Sequence, residues 1–348
     1  MGALGYGFKN DQAHARGATS DYKALSMLGC SRLEEEGVRI AVMGSGGVGG
    51  FFGAKLARGG ADVNFVARGA HLAAMREHGL AIESTHESFS LPKVKVTDDP
   101  STIGKADLIM FGVKLWDTEE AARSLVPIMG PDTALISFQN GVQKDDLLRP
   151  IVGERAIMGG VAYVGTNISR PGVIAQKGPT QRLVFGEYDG SRSRRAQEFL
   201  AACQRGGIDA EISANVRSEI WQKFIFLASM AAATAATRKP LGPVRSHPMT
   251  RQFFLDLMRE VAAVGRAHGV AIPDDFAEQR LAFADTLHPD MSASMHHDLE
   301  QGRPLELQWL SGGVVDLGAK VGVPTPLHRA VRDALILHAA GRPESKPA

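Results

Sequence analysis

The segment from Arg39 to Leu72, RIAVMGSGGVGGFFGAKLARGGADVNFVARGAHL, decides the fold of this protein. A short apolar run that ends in glycine predicts a buried parallel strand, and the helical periodicity after it stops at Gly59 and Gly60. The run DVNFVAR predicts a second strand. Strand, glycine turn, helix and strand in this order are typical of a dinucleotide-binding unit.

The glycine turn fits the pattern G-x-G-x-x-G and comprises Gly44, Ser45, Gly46, Gly47, Val48 and Gly49. In such a turn Gly44 makes the sharp bend, Gly46 lets backbone approach a pyrophosphate, and Gly49 lets the helix pack against the strand. The first-turn amides of the helix then face the phosphates. The alternative is a purely structural glycine-rich turn, but the surrounding strand and helix favour dinucleotide binding.

Arg68 occupies the end of the second strand, nineteen residues after Gly49. In an NAD site an acidic residue about 20 positions on binds the ribose hydroxyls, and that acid would repel a 2′-phosphate. A guanidinium can instead form two hydrogen bonds with that phosphate. The sequence therefore predicts NADP(H) as the cofactor in preference to NAD(H), with a solvated surface arginine as the alternative.

The order of predicted elements divides the chain into two folded domains. Strands and helices alternate to about Ser213. The segments 80–84 and 89–100 are predicted to be hairpin-like strands, and the segments 172–178 and 182–190 two further strands. Only helices follow. We therefore predict an α/β N-terminal Rossmann-type dinucleotide-binding domain at residues 38–214 and an all-α C-terminal domain for substrate and dimerisation at residues 215–341. Residues 1–37 are predicted to be a disordered polar extension, and residues 342–348 a polar tail.

Composition excludes several classes of function. The chain has 348 residues and a formal net charge of +1, so it has no strong field for nucleic acid or an anionic membrane surface. Two cysteines exclude a disulfide framework and fit a cytoplasmic protein. The apolar runs are too short to span a bilayer.

Several polar residues are candidates for the site. Lys114 and Asn140 each follow an apolar strand, where ligands of doubly wound sheets bind, although an exposed lysine or an Asn-Gly turn would give the same pattern. Lys223 lies in an apolar helix, and burial would lower its pKa toward that of a proton donor. It could equally extend its ammonium to solvent or pair with Glu219.

Further polar positions lie in the helical half. Glu306 starts a predicted helix, where an acid also compensates the helix dipole, and Ser294 could be an ordinary helix residue. His296 and His297 stand beside Asp298, but the spacing matches no familiar metal signature. We therefore predict no metal site.

The chain resembles the ketopantoate reductases (2-dehydropantoate 2-reductases) from about Val38 to Ala340. The resemblance rests on GSGGVGGFFGAKLARGGADVNFVARGAHL, VKLWDTEEA, QNGVQ, EIWQKF and MSASMHHDLEQGRPLELQWLSGGVVDLGAKVGVPTPLH. It implies a Rossmann-type domain, a helical domain and an active site between them, where NADPH reduces ketopantoate, a 2-keto acid, to D-pantoate.

The resemblance also implies a role for each candidate. Lys223 would donate a proton to the ketone oxygen, and Asn140 would touch both cofactor and substrate. Lys114 would lie near the nicotinamide side, Glu306 close to the cofactor and the reacting hydroxyl, and Ser294 would bind the substrate carboxylate. Arg68 would bind the 2′-phosphate.

The sequence departs from the family in the substrate pocket. Leu227, Ala231 and Leu241 stand where the family usually carries asparagines. Because buried amides that orient a substrate hydroxyl are lost, a larger or more apolar 2-keto acid is a candidate substrate. Two alternatives remain: a dehydrogenase of the same architecture acting on other hydroxy acids or imines, and a non-catalytic NADPH-binding regulator.

Overall fold

The computed structural model describes residues 38–342, which form one compact unit. The predicted extension 1–37 and residues 343–348 of the predicted tail lie outside the described residues. Within the described range, every helix is too short or too polar to cross a bilayer.

The first half of the described chain alternates strands and helices, as the sequence predicts. Its ten strands are β1 Arg39–Met43, β2 Asp62–Val66, β3 Leu80–Ser84, β4 Phe89–Leu91, β5 Lys95–Thr97, β6 Leu108–Phe111, β7 Ala134–Ser137, β8 Ile157–Arg170, β9 Val173–Gly186 and β10 Asp209–Ile212. The helices among them are α1 Gly47–Arg58, α2 Gly69–His78, α3 Thr118–Leu125, α4 Lys144–Val152 and α5 Arg194–Arg205.

The strands form one mixed sheet in the order β4-β3-β9-β8-β7-β6-β1-β2-β5, with β10 paired to β9. The six strands from β8 to β5 in this order are all parallel. This is the strand order of a Rossmann-type sheet, and it confirms the predicted fold class. The carboxyl ends of β1, β6 and β7 therefore lie side by side at one edge of the sheet.

The structure corrects the sequence-based prediction at three places. β5 does not complete a hairpin but leaves β4 and pairs in parallel with β2. The two strands expected around residues 173–190 are one long strand, β9, which pairs with β8 through register shifts. The helices α4 and α5 and the strand β10 were missed, because each has only a few apolar residues within a segment rich in polar ones. In α5 the buried residues are Ala196, Phe199, Ala202 and Cys203.

The second half is helical, as predicted. Its helices are α6 Val216–Thr237, α7 Leu241–Ser246, α8 Pro248–Ala267, α9 Phe276–Asp285, α10 Ser294–Gln301, α11 Ser311–Val321 and α12 Pro326–Leu335. Asn215 caps α6, where its side chain accepts a hydrogen bond from the Ser218 amide. α6 is buried along most of its length, because it packs on α8 on one side and on β8 on the other. It therefore joins the helical core to the sheet.

Candidate active site

The glycine turn lies between β1 and α1 and packs against the segment that follows β6. Gly44 has φ of +92°, and a Cβ there would lie 2.8 Å from the backbone nitrogen of Val113. At Gly49 a Cβ would overlap the carbonyl oxygen of Gly44 and lie 2.9 Å from Cγ1 of Val42. A Cβ at Gly46 would meet no atom of the described residues within 4 Å. Backbone geometry thus demands glycine at two positions, and the third faces open space.

The amino end of α1 has the donors that an anionic group needs. Gly46 caps this helix without any side-chain hydrogen bond, and the first-turn N–H groups of a helix have no intrahelical acceptor. Thr166 lies beside the turn, and its buried hydroxyl has no hydrogen-bond partner within residues 38–342. These groups fit a pyrophosphate at this turn, although sequence reasoning had not singled out Thr166.

Ser45 and His71 hold the turn in place. The Ser45 hydroxyl donates to the Val66 carbonyl at 2.9 Å, and Nε2 of His71 lies 2.9 Å from the Ser45 carbonyl. Because the Gly172 amide donates to Nδ1 of His71 at 3.0 Å, the ring proton belongs on Nε2. Burial lowers the pKa of His71, which favours this neutral form. The turn is therefore tied to both β2 and the β8–β9 connection.

Arg68 directly precedes α2, two residues beyond the end of β2. Its guanidinium lies 3.7 Å from Glu120, and both side chains are mostly exposed. An exposed ion pair of this length contributes little to stability, so the guanidinium is free to rearrange toward a ligand.

Lys223 projects from α6 toward the sheet rather than toward solvent. Its Nζ donates to the carbonyl of Ala162 in β8 at 2.8 Å and to Oδ1 of Asn140 at 3.1 Å. The alternative ion pair with Glu219 is not formed in the described structure. Burial lowers the pKa of Lys223 to about 8, assisted by the positive charge of Lys144 and opposed by Glu306. A lysine of this pKa is an effective acid near neutral pH.

Lys114 and Glu306 meet across the two halves of the protein. Nζ of Lys114 lies 3.3 Å from Oε2 of the buried Glu306 and 3.6 Å from Oδ2 of Asp298. The Trp116 ring lies 5.5 Å from the same ammonium and 6.0 Å from the Trp309 ring. Glu306 begins a short 3-10 turn before α11, so it stands at a helix-like start, as the sequence predicts.

Ser294 is the exposed first residue of α10. It lies one turn before Asp298 and on the same face of the helix, and Asp298 faces Lys114. Two histidines lie between them, and within residues 38–342 no group of three histidine, cysteine or acidic side chains is arranged to hold a metal ion. His296 is buried 3.3 Å from Glu300, whereas His297 is exposed.

Of the apolar residues Leu227, Ala231 and Leu241, only Leu227 lines the pocket at Lys223. Leu227 lines a small pocket together with Lys223, Asn140, Val161, Ile220 and Phe224. Ala231 and Leu241 are buried in the helical core. The pocket around the Lys223 ammonium therefore combines two amide residues, Gln139 and Asn140, and a second lysine with an aliphatic and aromatic surface.

Lys144 was missed by sequence reasoning and lies in the same pocket. Its side chain is only 1% exposed. Nζ donates to the carbonyls of Gly160 and Ser137, with the Gly160 bond at 2.8 Å. In the sequence it belongs to the polar run QKDD, which is typical of an exposed helix start and gave no signal of burial.

Together, the Rossmann-type sheet, the glycine turn and the lysine presented by a helical second domain define a two-domain dinucleotide-fold oxidoreductase. Comparison with known families agrees: residues 40–190 match "Ketopantoate reductase PanE/ApbA" and residues 215–338 match "Ketopantoate reductase PanE/ApbA C terminal". The chain belongs to the ketopantoate reductase family, which confirms the resemblance found in the sequence. It is thus a 2-dehydropantoate 2-reductase-like oxidoreductase, of a class that works with a nicotinamide cofactor.

Individual relatives cover almost the whole described chain. The 2-dehydropantoate 2-reductase of Mesorhizobium japonicum is 29% identical and covers 84% of this chain and 95% of its own. An uncharacterised oxidoreductase of Bacillus subtilis, YkpB, is 26% identical, with coverages of 87% and 99%. A crystal structure of a PanE/ApbA family ketopantoate reductase from Ralstonia eutropha is 33% identical, with a TM-score of 0.79 and coverages of 87% and 98%.

Proposed function

We propose that this protein reduces a 2-keto acid to the 2-hydroxy acid with NADPH, and that the acid is 2-dehydropantoate, giving (R)-pantoate, or a related keto acid. The observation that carries the proposal is the Lys223 ammonium, which is bonded to Asn140 at the carboxyl edge of the sheet. The relatives named for 2-dehydropantoate reduction support the reaction type.

The chemistry needs a hydride at the ketone carbon and a proton at the ketone oxygen. The reduced nicotinamide supplies the hydride when bound. Lys223 stabilises the negative charge that develops on oxygen and then transfers its proton there. Asn140 holds the ammonium from one side and can hydrogen-bond the substrate through its amide NH₂. Ser294 is proposed to bind the carboxylate, and Glu306 to fix Lys114 beside the reacting groups.

The preference for NADPH rests on Arg68. Its guanidinium is exposed, and its partner Glu120 is even more exposed and easily displaced. We expect Arg68→Asp to weaken NADPH binding at least about tenfold and to leave NADH binding unchanged or tighter. Arg123→Asp is the matched control, since Arg123 is an exposed arginine paired with Glu119 on α3. Equal affinities of the wild type for both cofactors, unaffected by the substitution at Arg68, would reject this preference.

The apolar wall around Lys223 decides which keto acid is reduced best. Leu227 cannot form a hydrogen bond with the hydroxyl of ketopantoate. An apolar 2-keto acid of similar size should therefore compete well with ketopantoate. The test follows NADPH absorbance over a panel of 2-keto acids that includes ketopantoate, with Lys223→Ala beside the wild type. Good turnover of other keto acids without ketopantoate rejects the pantoate assignment. Absence of turnover with every keto acid favours a non-catalytic NADPH-binding regulator instead.

Two further features are proposed with this function. The small number of cysteines and the cofactor suit a cytoplasmic enzyme. The helical domain is proposed to support a homodimer, which sedimentation equilibrium would test: a single species at monomer mass across micromolar concentrations would reject it.

A further inference from the structure

The edge of β8 carries two lysine ammonium groups side by side. β7 and β8 are paired only where Leu135 and Ile136 face the start of β8, so the next part of β8 has a free edge on this side. The Gly160 carbonyl accepts from Lys144 at 2.8 Å, and the Ala162 carbonyl accepts from Lys223 at 2.8 Å. Carbonyls two residues apart on a strand point to the same edge, about 7 Å from each other. The two ammonium groups therefore occupy neighbouring positions.

The surroundings of Lys144 favour its charged form despite burial. Its ammonium donates to the two carbonyls of Gly160 and Ser137 and lies 3.8 Å from Oδ2 of Asp145. Burial lowers the pKa of Lys144, and Asp145 acts in the opposite direction. Tyr188 donates its phenol proton to the same carboxylate.

The titratable groups around Lys223 come from four elements. Lys144 approaches from α4, Glu306 from the turn before α11, and Glu219 shares α6 with it. The Tyr163 ring of β8 lies 6.0 Å from Nζ, and burial raises the pKa of its phenol to about 12, so it is neutral at working pH. Glu306 is already engaged by Lys114. Lys144 is therefore the main positive charge that acts on Lys223.

We propose that Lys144 is a positioning residue for Lys223. It fixes the free edge of β8, so that the Ala162 carbonyl is aimed at Lys223, and its positive charge makes the neighbouring ammonium a stronger acid. The consequence for the reaction rests on the proposed function, because a lysine that must give up a proton near neutral pH needs its ordinary basicity reduced. The electrostatic coupling itself does not depend on any substrate.

The test separates charge from structure by matched substitutions at Lys144. Lys144→Gln keeps hydrogen-bond donors and removes the charge, whereas Lys144→Arg keeps both. The pKa of Lys223 is measured by NMR of ¹³C-labelled lysine side chains in the protein without ligands, with Lys223→Met to assign the signal. We expect Lys144→Gln to raise the pKa of Lys223 by roughly one unit, and Lys144→Arg to leave it near the wild-type value. If the role of Lys144 were purely structural, Lys144→Gln and Lys144→Arg would change the pKa of Lys223 to a similar extent.

A reciprocal measurement keeps the native Lys144, so it can be made even if Lys144→Gln or Lys144→Arg fails to fold. Coupling between two sites is symmetrical, so Lys223→Met must raise the pKa of Lys144 by about the same amount. An unchanged Lys223 titration in Lys144→Gln, or an unchanged Lys144 titration in Lys223→Met, overturns the proposal. Failure of the proposed function would appear separately, as absent keto acid turnover in a protein whose two lysines still titrate as a coupled pair.

Discussion

Alanine substitutions at Gly46 and Gly49 should separate cofactor binding from folding. The two glycines lie in the same turn, but only one is confined by the protein. A Cβ at Gly46 meets nothing within 4 Å in the described structure, and the backbone there has φ of −73°, which alanine adopts freely. A Cβ at Gly49 would overlap the Gly44 carbonyl oxygen, a backbone atom that no rotamer change can move.

These contacts set the expected magnitudes. Overpacking at Gly49 should cost about 1–3 kcal/mol, of which about 0.5–1 kcal/mol is offset because alanine favours the helix. Gly49→Ala should therefore lower the melting temperature by roughly 2–6 °C. Gly46→Ala should change the unfolding free energy by no more than about 0.5 kcal/mol. Its methyl group would stand where the pyrophosphate is proposed to approach, so NADPH affinity should fall at least about 100-fold.

The assay is thermal unfolding with and without NADPH, together with titration of NADPH fluorescence. NADPH at about 100 times its dissociation constant should stabilise the wild type by about 2.7 kcal/mol. Gly46→Ala should lose most of this stabilisation by NADPH, although without NADPH it should melt at the same temperature as the wild type. Gly269→Ala is not a suitable control because φ there is +77°; Ala57→Gly, a partly buried position near the carboxyl end of α1 and far from the glycine turn in sequence, serves instead. If Gly46→Ala binds NADPH like the wild type, the glycine turn is not the pyrophosphate site.

Three further outcomes are expected. For 2-keto acid reduction, kcat/KM should fall about tenfold per pH unit above about pH 8, because Lys223 must be protonated and its pKa is lowered to about 8; a plateau that extends to pH 10 would contradict this role. Leu227→Asn should raise kcat/KM for ketopantoate, relative to an apolar 2-keto acid, by about tenfold, and an unchanged ratio would show that this wall does not select the substrate. His328 is buried with a pKa lowered to about 4, so its contribution to stability is present above its unfolded pKa near 6.5 and is lost as the pH falls toward 4. In urea unfolding, the free energy of unfolding of the wild type should fall by about 3 kcal/mol between pH 7 and pH 4, and His328→Gln should remove most of this fall. An equal pH dependence of the two proteins would refute this role of His328.

The predicted fold class was obtained from local signals that rarely mislead. Glycine at fixed offsets between an apolar strand and an amphipathic helix admits few structures, and the parallel strand order confirmed it. β5 was misplaced because a three-residue strand carries no information about its partner. α5 was missed because its apolar residues, although spaced as on one face of a helix, form only a short run between charged residues.

The sequence by itself determined the two-domain fold, the family and the candidate residues Lys114, Asn140 and Lys223. These depend on residue type at fixed spacing, which a chain displays before it folds. Tertiary structure alone decided that Lys223 bonds β8 instead of Glu219, and that Lys144 is buried beside it. Both outcomes depend on which carbonyls lie free along the edge of a strand, and that edge exists only after distant segments have paired.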